Sequence, residues 1–238
     1  MPTAIKQVRD LAMEQPSSVR VFERFGIDYC CGGRKSLAQV CQEQQIPLAD
    51  LLQGLAEAAH ATPQMADPWT TASLEDLATY IVTACHGPTR LELERLTSLA
   101  FKVHHRHGAT HPELARIQSL VHQILEEMTP HMEKEERVLF PYIVGLERAD
   151  QSGSPKPYAC FGDVANPIAA MMAEHDIVGS ALTEINVLTS NYQLPDGACP
   201  TYHALYTTLA EFDALTRHHV ELENSILFPR AIALSGKK

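Results

Sequence analysis

The chain has 238 residues, 45% of them hydrophobic, and a formal net charge of -10 at pH 7. A chain of this length and apolar content can form one large domain, or a small domain beside a larger one. The acidic balance argues against nucleic-acid binding, which usually needs a basic surface. Residues 1–10 lack the apolar segment of a secretory signal, and no run approaches about 18 apolar residues. We therefore expect a cytoplasmic protein that does not associate with a membrane.

The first 60 residues are predicted to form a small domain of short helices. Ser36 and Gln39 have the spacing of a capping box, which marks the start of a helix. Three helices are expected, at 18–25, 37–45 and 48–60. A domain of this size is near the lower limit for an independent core, so we expect it to dock on the rest of the chain or on a second copy. A homodimer is therefore predicted.

A linker is expected at 61–73, which contains two prolines and little apolar periodicity. Ser73 then caps a helical region that has two acidic residues in its first turn, where they favour the helix dipole. Long helical stretches follow at 74–107, 112–146, 165–191 and 200–233. A polar loop is expected at 147–164. Four helices with a long central connection predict an all-α fold, in which a four-helix bundle covers 74–238.

The bundle region contains an internal repeat. Residues 131–141 read HMEKEERVLFP and residues 219–229 read HVELENSILFP, so both fit His-x3-Glu-x3-Leu-Phe-Pro with an offset of 88 residues (219 − 131). His86 and His175 are separated by nearly the same offset, 89 residues (175 − 86). Each half thus offers one histidine from its first helix and His-x3-Glu from its second helix. This pattern is typical of a duplicated helical hairpin.

The spacing within the repeat suits a metal site. Side chains at positions i and i+4 of a helix project from one face, so His131 and Glu135 can reach one point in the core, as can His219 and Glu223. The histidines of the two first helices can approach from the facing side. This set is too large for one tetrahedral zinc, but two metals bridged by the two carboxylates would use it well. Imidazole with carboxylate suits iron, although manganese and zinc fit the same ligand types.

A fifth histidine ligand is expected near the end of the first bundle helix, where His104, His105 and His107 compete for the role. Glu127 and Glu174 each lie near a ligand histidine in the sequence. Either can orient a ligating imidazole or relay a proton, and the alternative for each is an exposed surface acid. The other histidines have no partner in the repeat and are expected to be structural or on the surface: His60, His111, His122, His203 and His218.

Two adjacent cysteines, Cys30 and Cys31, lie in the segment DYCCGGRKS at 28–36. The two glycines that follow them imply a tight turn, and the basic residues and the next helix start favour the thiolate. These cysteines are predicted to be nucleophilic, redox-active or in contact with a metal. The alternative is two small apolar side chains packed at a turn. The remaining cysteines have no such setting and are expected to be reduced and inert: Cys41, Cys85, Cys160 and Cys199.

These motifs resemble those of a known family, the iron-sulfur cluster repair proteins, also called repair-of-iron-centres proteins. GIDYCCGG at 26–33 resembles the N-terminal signature of that family, and the two repeated segments resemble its hemerythrin-type motifs. PIAAMMAEHD at 167–176 is similar to the segment with the third-helix ligand. The resemblance spans nearly the whole chain. It implies a hemerythrin-like four-helix bundle preceded by a small helical domain.

The resemblance also implies a non-haem di-iron centre, with two iron ions, histidine ligands and two bridging glutamates. KVHHRHG at 102–108 resembles the family segment with the second ligand, with Arg106 where the family has valine. The implied metal ligands are His86, His107, His131, Glu135, His175, His219 and Glu223. Gly87-Pro88 directly follows the first of these, and proline in a helix interior predicts a kink or a break there.

The resemblance implies repair of iron-sulfur clusters damaged by oxidative or nitrosative stress, by iron donation, with nitric oxide reduction as an enzymatic version. Its partners would be damaged iron-sulfur proteins, with nitric oxide or oxygen as the small ligand. The alternative is a hemerythrin-like carrier or sensor of oxygen or nitric oxide, which has no evident need of Cys30 and Cys31. An iron store is less attractive, because two irons per chain is a small capacity. Whether the protein is an enzyme or an iron donor stays open at this point.

Overall fold

The computed structural model describes residues 4–15, 17–27, 29, 33–60 and 68–236. The chain divides into two compact units, Met1–Thr71 and Ala72–Lys238. Within the described residues there is no strand, and the β-type pairing there is one isolated antiparallel bridge between Gln7 and Ser36. The predicted all-α fold is confirmed.

The described part of the first unit contains four α-helices: α1 (Val8–Glu14), α2 (Ser18–Arg24), α3 (Leu37–Gln44) and α4 (Leu48–His60). The last three were predicted from the sequence, and α1 was not. The expected capping box begins α3. Ser36 Oγ accepts the Gln39 backbone N–H at 3.2 Å, and Gln39 Oε1 accepts the Ser36 N–H at 2.9 Å. The helices enclose a small apolar core of their own, which includes Phe22, Leu37 and Leu51.

The segment that follows the vicinal cysteines is held by α1. The Arg9 N–H donates to the Gly33 carbonyl at 2.8 Å. A Cβ at Gly33 would clash with the Tyr29 carbonyl oxygen and with the Arg9 side chain, so this close approach requires glycine. Cys30 and Cys31 lie outside the described residues, and their role stays a prediction.

The second unit is a four-helix bundle made of two hairpins. Its first helix joins α5 (Leu74–Tyr80) to α6 (Gly87–His107), and its second joins α7 (Glu113–Lys134) to α8 (Phe140–Ser152). The third is α9 (Ala165–Leu188), and the fourth joins α10 (Pro200–Leu222) to α11 (Phe228–Gly236). The first helix packs against the second and the fourth, and the second packs against the third. The four predicted stretches are therefore all helical.

The predicted loop at 147–164 begins later than expected, because 147–152 continues the second bundle helix. The polar side chains there bind another part of the bundle: Glu147 accepts the Leu74 backbone N–H at 2.9 Å and so helps to cap the first helix. The helix ends at Gly153, whose φ of +66° is the left-handed conformation common at helix C-termini.

Three π-helical turns lie inside the long helices: Ile81–His86, Glu135–Leu139 and Glu223–Leu227. At each, a backbone N–H bonds to the carbonyl five residues earlier: Gly87 to Val82, Phe140 to Glu135, and Phe228 to Glu223. The residue that follows is proline each time, at 88, 141 and 229. Proline has no N–H to donate to the helical ladder, and at these three positions the bond just before it spans five residues instead of four. The interruption expected at Gly87-Pro88 is thus a π turn that keeps the helix continuous.

The interior of the bundle is filled by apolar side chains along most of its length, among them Leu96, Leu120, Ile124, Leu182 and Leu209. The described helices include none that is both long and apolar enough to cross a membrane. The polar groups buried at one end of this apolar interior are described below.

Ser73→Ala is expected to lower the free energy of unfolding by about 1 kcal/mol, because Ser73 Oγ accepts the Asp76 N–H at 2.9 Å and caps α5. Urea unfolding followed by circular dichroism measures this change. Ser180→Ala, an exposed position within α9, is the matched control and should stay within about 0.5 kcal/mol of the unaltered protein. An equal loss in both variants would contradict the capping role.

Candidate metal centre

Six titratable side chains from all four bundle helices meet in the interior of the bundle. The first and third helices each contribute one histidine, and the second and fourth each contribute a histidine and a glutamate. All six are at most 1% exposed: His86, His131, Glu135, His175, His219 and Glu223. The structure therefore brings together six of the seven ligands that the sequence predicted.

Their ligand atoms form two overlapping groups, each within 4.8 Å. One group contains His86 and His219, and the other contains His131 and His175. We call them the 86/219 half and the 131/175 half. Glu135 and Glu223 belong to both groups.

The spacing of the imidazoles fits metal coordination. His86 Nε2 lies 3.1 Å from His219 Nε2, and His131 Nε2 lies 3.0 Å from His175 Nε2. Two nitrogens bound to one metal at about 2.1 Å are about 3.0 Å apart at a right angle, and about 3.4 Å apart at a tetrahedral angle. The pairs therefore fit neighbouring ligands at a right angle better than the corners of a tetrahedral zinc site.

Each glutamate contacts one imidazole of each half. Glu135 Oε2 lies 3.2 Å from His131 Nε2 and 3.4 Å from His86 Nε2. Glu223 reaches the other two imidazoles through separate oxygens, at 2.9 and 3.1 Å. The two carboxylates thus lie between the halves, where they could bridge two cations.

The buried carboxylates have too few hydrogen-bond donors. Both oxygens of Glu135 and Oε2 of Glu223 make no hydrogen bond within the described part of the chain. Burying an ionised carboxylate without a partner is costly, and coordination to a cation removes that cost. The donor set therefore fits a metal of the kind that binds imidazole and carboxylate.

The electrostatics of these side chains also favour a cation. Burial opposes ionisation of Glu223, but His219 and His175 beside it hold its pKa well below the usual value. Burial likewise opposes protonation of His131, yet the carboxylates of Glu135 and Glu174 raise its pKa to about 10. The cluster therefore stabilises positive charge, whether on a proton or on a metal.

Outer hydrogen bonds orient three of the imidazoles. His86 Nδ1 donates to Glu136 at 2.7 Å, and His131 Nδ1 donates to Glu174 at 2.9 Å. His175 Nδ1 lies 3.2 Å from the amide oxygen of Asn224. A proton held on Nδ1 leaves the Nε2 lone pair free to face the centre, which is the tautomer that a metal ligand needs.

Basic side chains hold the two outer carboxylates in turn. Arg90 binds the same Glu136 oxygen at 2.8 Å, and Lys134 binds Glu174. Of the two acids weighed from the sequence, Glu174 is thus the one that orients a ligand histidine. Sequence reasoning missed Glu136 and Asn224. The signal was present, because each directly follows the glutamate of its His-x3-Glu motif.

Aromatic rings from the repeat form walls of the site. The Phe140 ring stacks on His86 at 5.8 Å between centroids, and the Phe228 ring stacks on His175 at 6.2 Å. Both phenylalanines come from the Leu-Phe-Pro part of the motif. The repeat therefore supplies a histidine, a shared carboxylate, an outer partner, an apolar wall and a π turn in each hairpin.

His107 does not join this cluster, which corrects the expectation that it is a ligand. It lies 21 residues after His86 on the same helix, and a rise of about 1.5 Å per residue separates the two by about 30 Å. Its Nε2 lies 3.2 Å from Cys199 Sγ, and its ring packs on Tyr202. The alternative candidate His104 lies near the same C-terminal end of α6, where its Nδ1 is 2.6 Å from the side-chain oxygen of Gln118.

Replacing either shared carboxylate should weaken metal binding at both halves. We expect Glu135→Ala and Glu223→Ala to lower iron affinity by at least about tenfold, since even the loss of an outer partner has such an effect. Iron per chain after dialysis against a chelator measures it. His107→Ala is the matched control and should keep the iron content of the unaltered protein. Retention of iron in both glutamate variants would exclude the shared-carboxylate site.

Comparisons with known proteins agree with this geometry. Residues 77–231 match the hemerythrin HHE cation binding domain, and residues 4–59 match a domain of unknown function, DUF542. The chain is 34% identical over 222 residues to the iron-sulfur cluster repair protein YtfE of Yersinia pseudotuberculosis serotype IB (strain PB1/+), a match that covers 93% of this chain and 94% of the relative. The same identity and coverage hold for the protein of that name from Yersinia pestis (strain Pestoides F). The chain therefore belongs to the iron-sulfur cluster repair protein family, with a DUF542 domain followed by a hemerythrin HHE domain.

Proposed function

We propose that this protein repairs damaged iron-sulfur clusters with iron held as a pair in the bundle. The observation that carries the proposal is the pair of overlapping ligand groups that share Glu135 and Glu223. A single metal would leave one histidine pair without a ligand role. The relatives named as iron-sulfur cluster repair proteins, which match along nearly the whole chain, support the same function.

Four imidazoles and two carboxylates would hold the irons, two histidines to each. When bound, the iron pair supplies metal for a damaged cluster and an open position for a small ligand such as nitric oxide or oxygen. The chain's own part is to keep the Nε2 lone pairs directed inward through Glu136, Glu174 and Asn224. Phe140 and Phe228 shield the centre from water on the sides that they cover.

Cys30 and Cys31 belong to the proposal as the groups that receive iron and pass it to the client. Thiolates bind iron well, and the basic residues that follow this pair in the sequence favour the thiolate form. The proposal further places the protein in the cytoplasm, as a homodimer whose partners are damaged iron-sulfur proteins. Nitric oxide reduction at the iron pair is its enzymatic version.

Repair should depend on the iron pair. Protein loaded with ⁵⁷Fe, incubated with a [4Fe-4S] dehydratase inactivated by nitric oxide, is expected to restore dehydratase activity and to transfer ⁵⁷Fe into the cluster. Glu223→Ala should reduce the recovery at least about tenfold, in line with its weakened iron binding, and His107→Ala should not. Mössbauer spectra of the re-isolated dehydratase measure the transfer. Recovery without ⁵⁷Fe in the cluster would refute iron donation.

The double variant Cys30→Ser, Cys31→Ser should lose repair but keep the iron content and nitric oxide binding of the unaltered protein, because the bundle ligands are unchanged. Cys160→Ser, which removes an exposed free thiol, is the matched control and should repair normally. The dehydratase assay and the iron-nitrosyl absorption measure the two properties. If the double variant repairs at the normal rate, the vicinal cysteines have no part in the mechanism.

A further inference from the structure

We propose that the two halves of the metal centre are unequal: the 86/219 half releases its metal first and supplies the donated iron, and the 131/175 half retains its metal. The inference deepens the proposed function and rests on it for the presence of two irons. Three of the four imidazoles have an outer hydrogen-bond partner, and the fourth has none within the described residues.

The 131/175 half is anchored at both histidines. His131 Nδ1 is held at 2.9 Å by Glu174, which Lys134 fixes from the other side. His175 Nδ1 is held at 3.2 Å by Asn224, a side chain that is only 5% exposed. Neither imidazole can turn away from the centre without breaking a hydrogen bond.

The 86/219 half is anchored at one histidine. His86 Nδ1 is held by Glu136, but His219 Nδ1 has no hydrogen-bond partner within the described residues, although His219 is fully buried. An unpaired buried polar atom is costly, and it leaves the ring orientation without an outer restraint. His219 can therefore turn or exchange its ligand bond more readily than the other three histidines.

The internal repeat explains the missing anchor. Glu174, directly before His175, reaches across to the histidine of the other hairpin. The corresponding position in the first hairpin, directly before His86 and 89 residues earlier (174 − 89), is Cys85. Cys85 is buried but makes no hydrogen bond to His219 Nδ1, which has no hydrogen-bond partner among the residues that the structure describes. The duplicated site thus has an acid at one of two equivalent positions and a thiol at the other.

The 86/219 half also lies behind a surface cavity of about 450 Å³. Glu136, whose carboxylate holds His86, lines this cavity, as does Phe140, whose ring stacks on His86. The Glu136 carboxylate is partly exposed in this cavity and contacts His86, the ligand candidate of this half. A leaving iron or an approaching iron acceptor would therefore meet Glu136 next to His86. The 86/219 half thus has both the histidine without an outer partner and the nearby cavity.

Chelation tests the inference on the full chain. Protein loaded with two irons is exposed to a ferrous chelator, and iron release is followed with time. Two phases of one iron each are expected, with rates that differ by about 10–100-fold, the range of effects that outer partners of metal ligands have. Release of both irons at one rate would overturn the proposal.

Anomalous diffraction at the iron edge assigns the phases. Crystals of protein depleted to one iron per chain should show the remaining iron between Nε2 of His131 and Nε2 of His175. Iron remaining between His86 and His219, or shared equally between the halves, would overturn the proposal. This measurement needs no substitution, so it does not depend on whether a variant folds.

Variants test the cause of the difference. Glu174→Ala should accelerate the slow phase about 10–100-fold, because it removes the outer partner of His131. Glu174→Gln keeps an acceptor oxygen at that position and should restore most of the slow phase. His107→Ala should leave both phases unchanged. An unchanged slow phase in Glu174→Ala would show that the outer hydrogen bond does not set the rate.

The outcome is separable from that of the repair assay. Unequal release by a protein that repairs no cluster would refute the proposed function and leave the inequality of the halves intact. Equal release of the two irons by a protein that repairs clusters would refute the inequality of the halves and leave the proposed function intact.

Discussion

Two carboxylates buried among four imidazoles are the constraint on which the rest of this bundle depends. Glu135 and Glu223 are fully buried, and three of their four oxygens make no hydrogen bond within the described residues. In an apolar interior such groups are stable only with a cation beside them. The four helices bring imidazoles, three of them oriented by outer hydrogen bonds, to the same point as the two carboxylates. The fold is therefore arranged around a positive charge placed between the carboxylates.

The repeated motif meets several requirements of this centre at once. The i and i+4 spacing puts a histidine and a glutamate on one helix face. The residue after the glutamate orients the histidine of the preceding helix, and the phenylalanine stacks on that same histidine. The proline follows a π turn that begins at the glutamate. Such turns are frequent at functional sites, because they shift side chains out of the α-helical register. Duplication of the hairpin then brings two copies face to face.

The duplication is not symmetrical in its outer residues, and that difference has a physical consequence. Glu136 corresponds to Asn224, and Glu174 corresponds to Cys85. Each half therefore keeps one histidine held by a carboxylate, but only the 131/175 half has its second histidine held as well. In the proposed two-iron centre, identical ligands would in this way hold the two metals with different strength. That inequality would allow one iron to be donated while the other keeps the site assembled.

The sequence by itself determined the helical class, the capping box at Ser36, the cap at Ser73, and six of the side chains that meet in the buried cluster. Each of these follows from spacing along one chain segment or from the internal repeat. It also pointed to a fifth histidine at the end of the first helix, and there it was wrong about His107. The resemblance to the family had assigned His107 as a ligand. His107 is too far from His86 along the continuous first helix to reach the same metal. Only the tertiary structure showed that Glu136 and Asn224 bind histidines of the preceding helices, and that His219 Nδ1 has no partner within the described residues. These depend on which side chains meet across different helices, and contacts of that kind are not encoded in the spacing of any single segment.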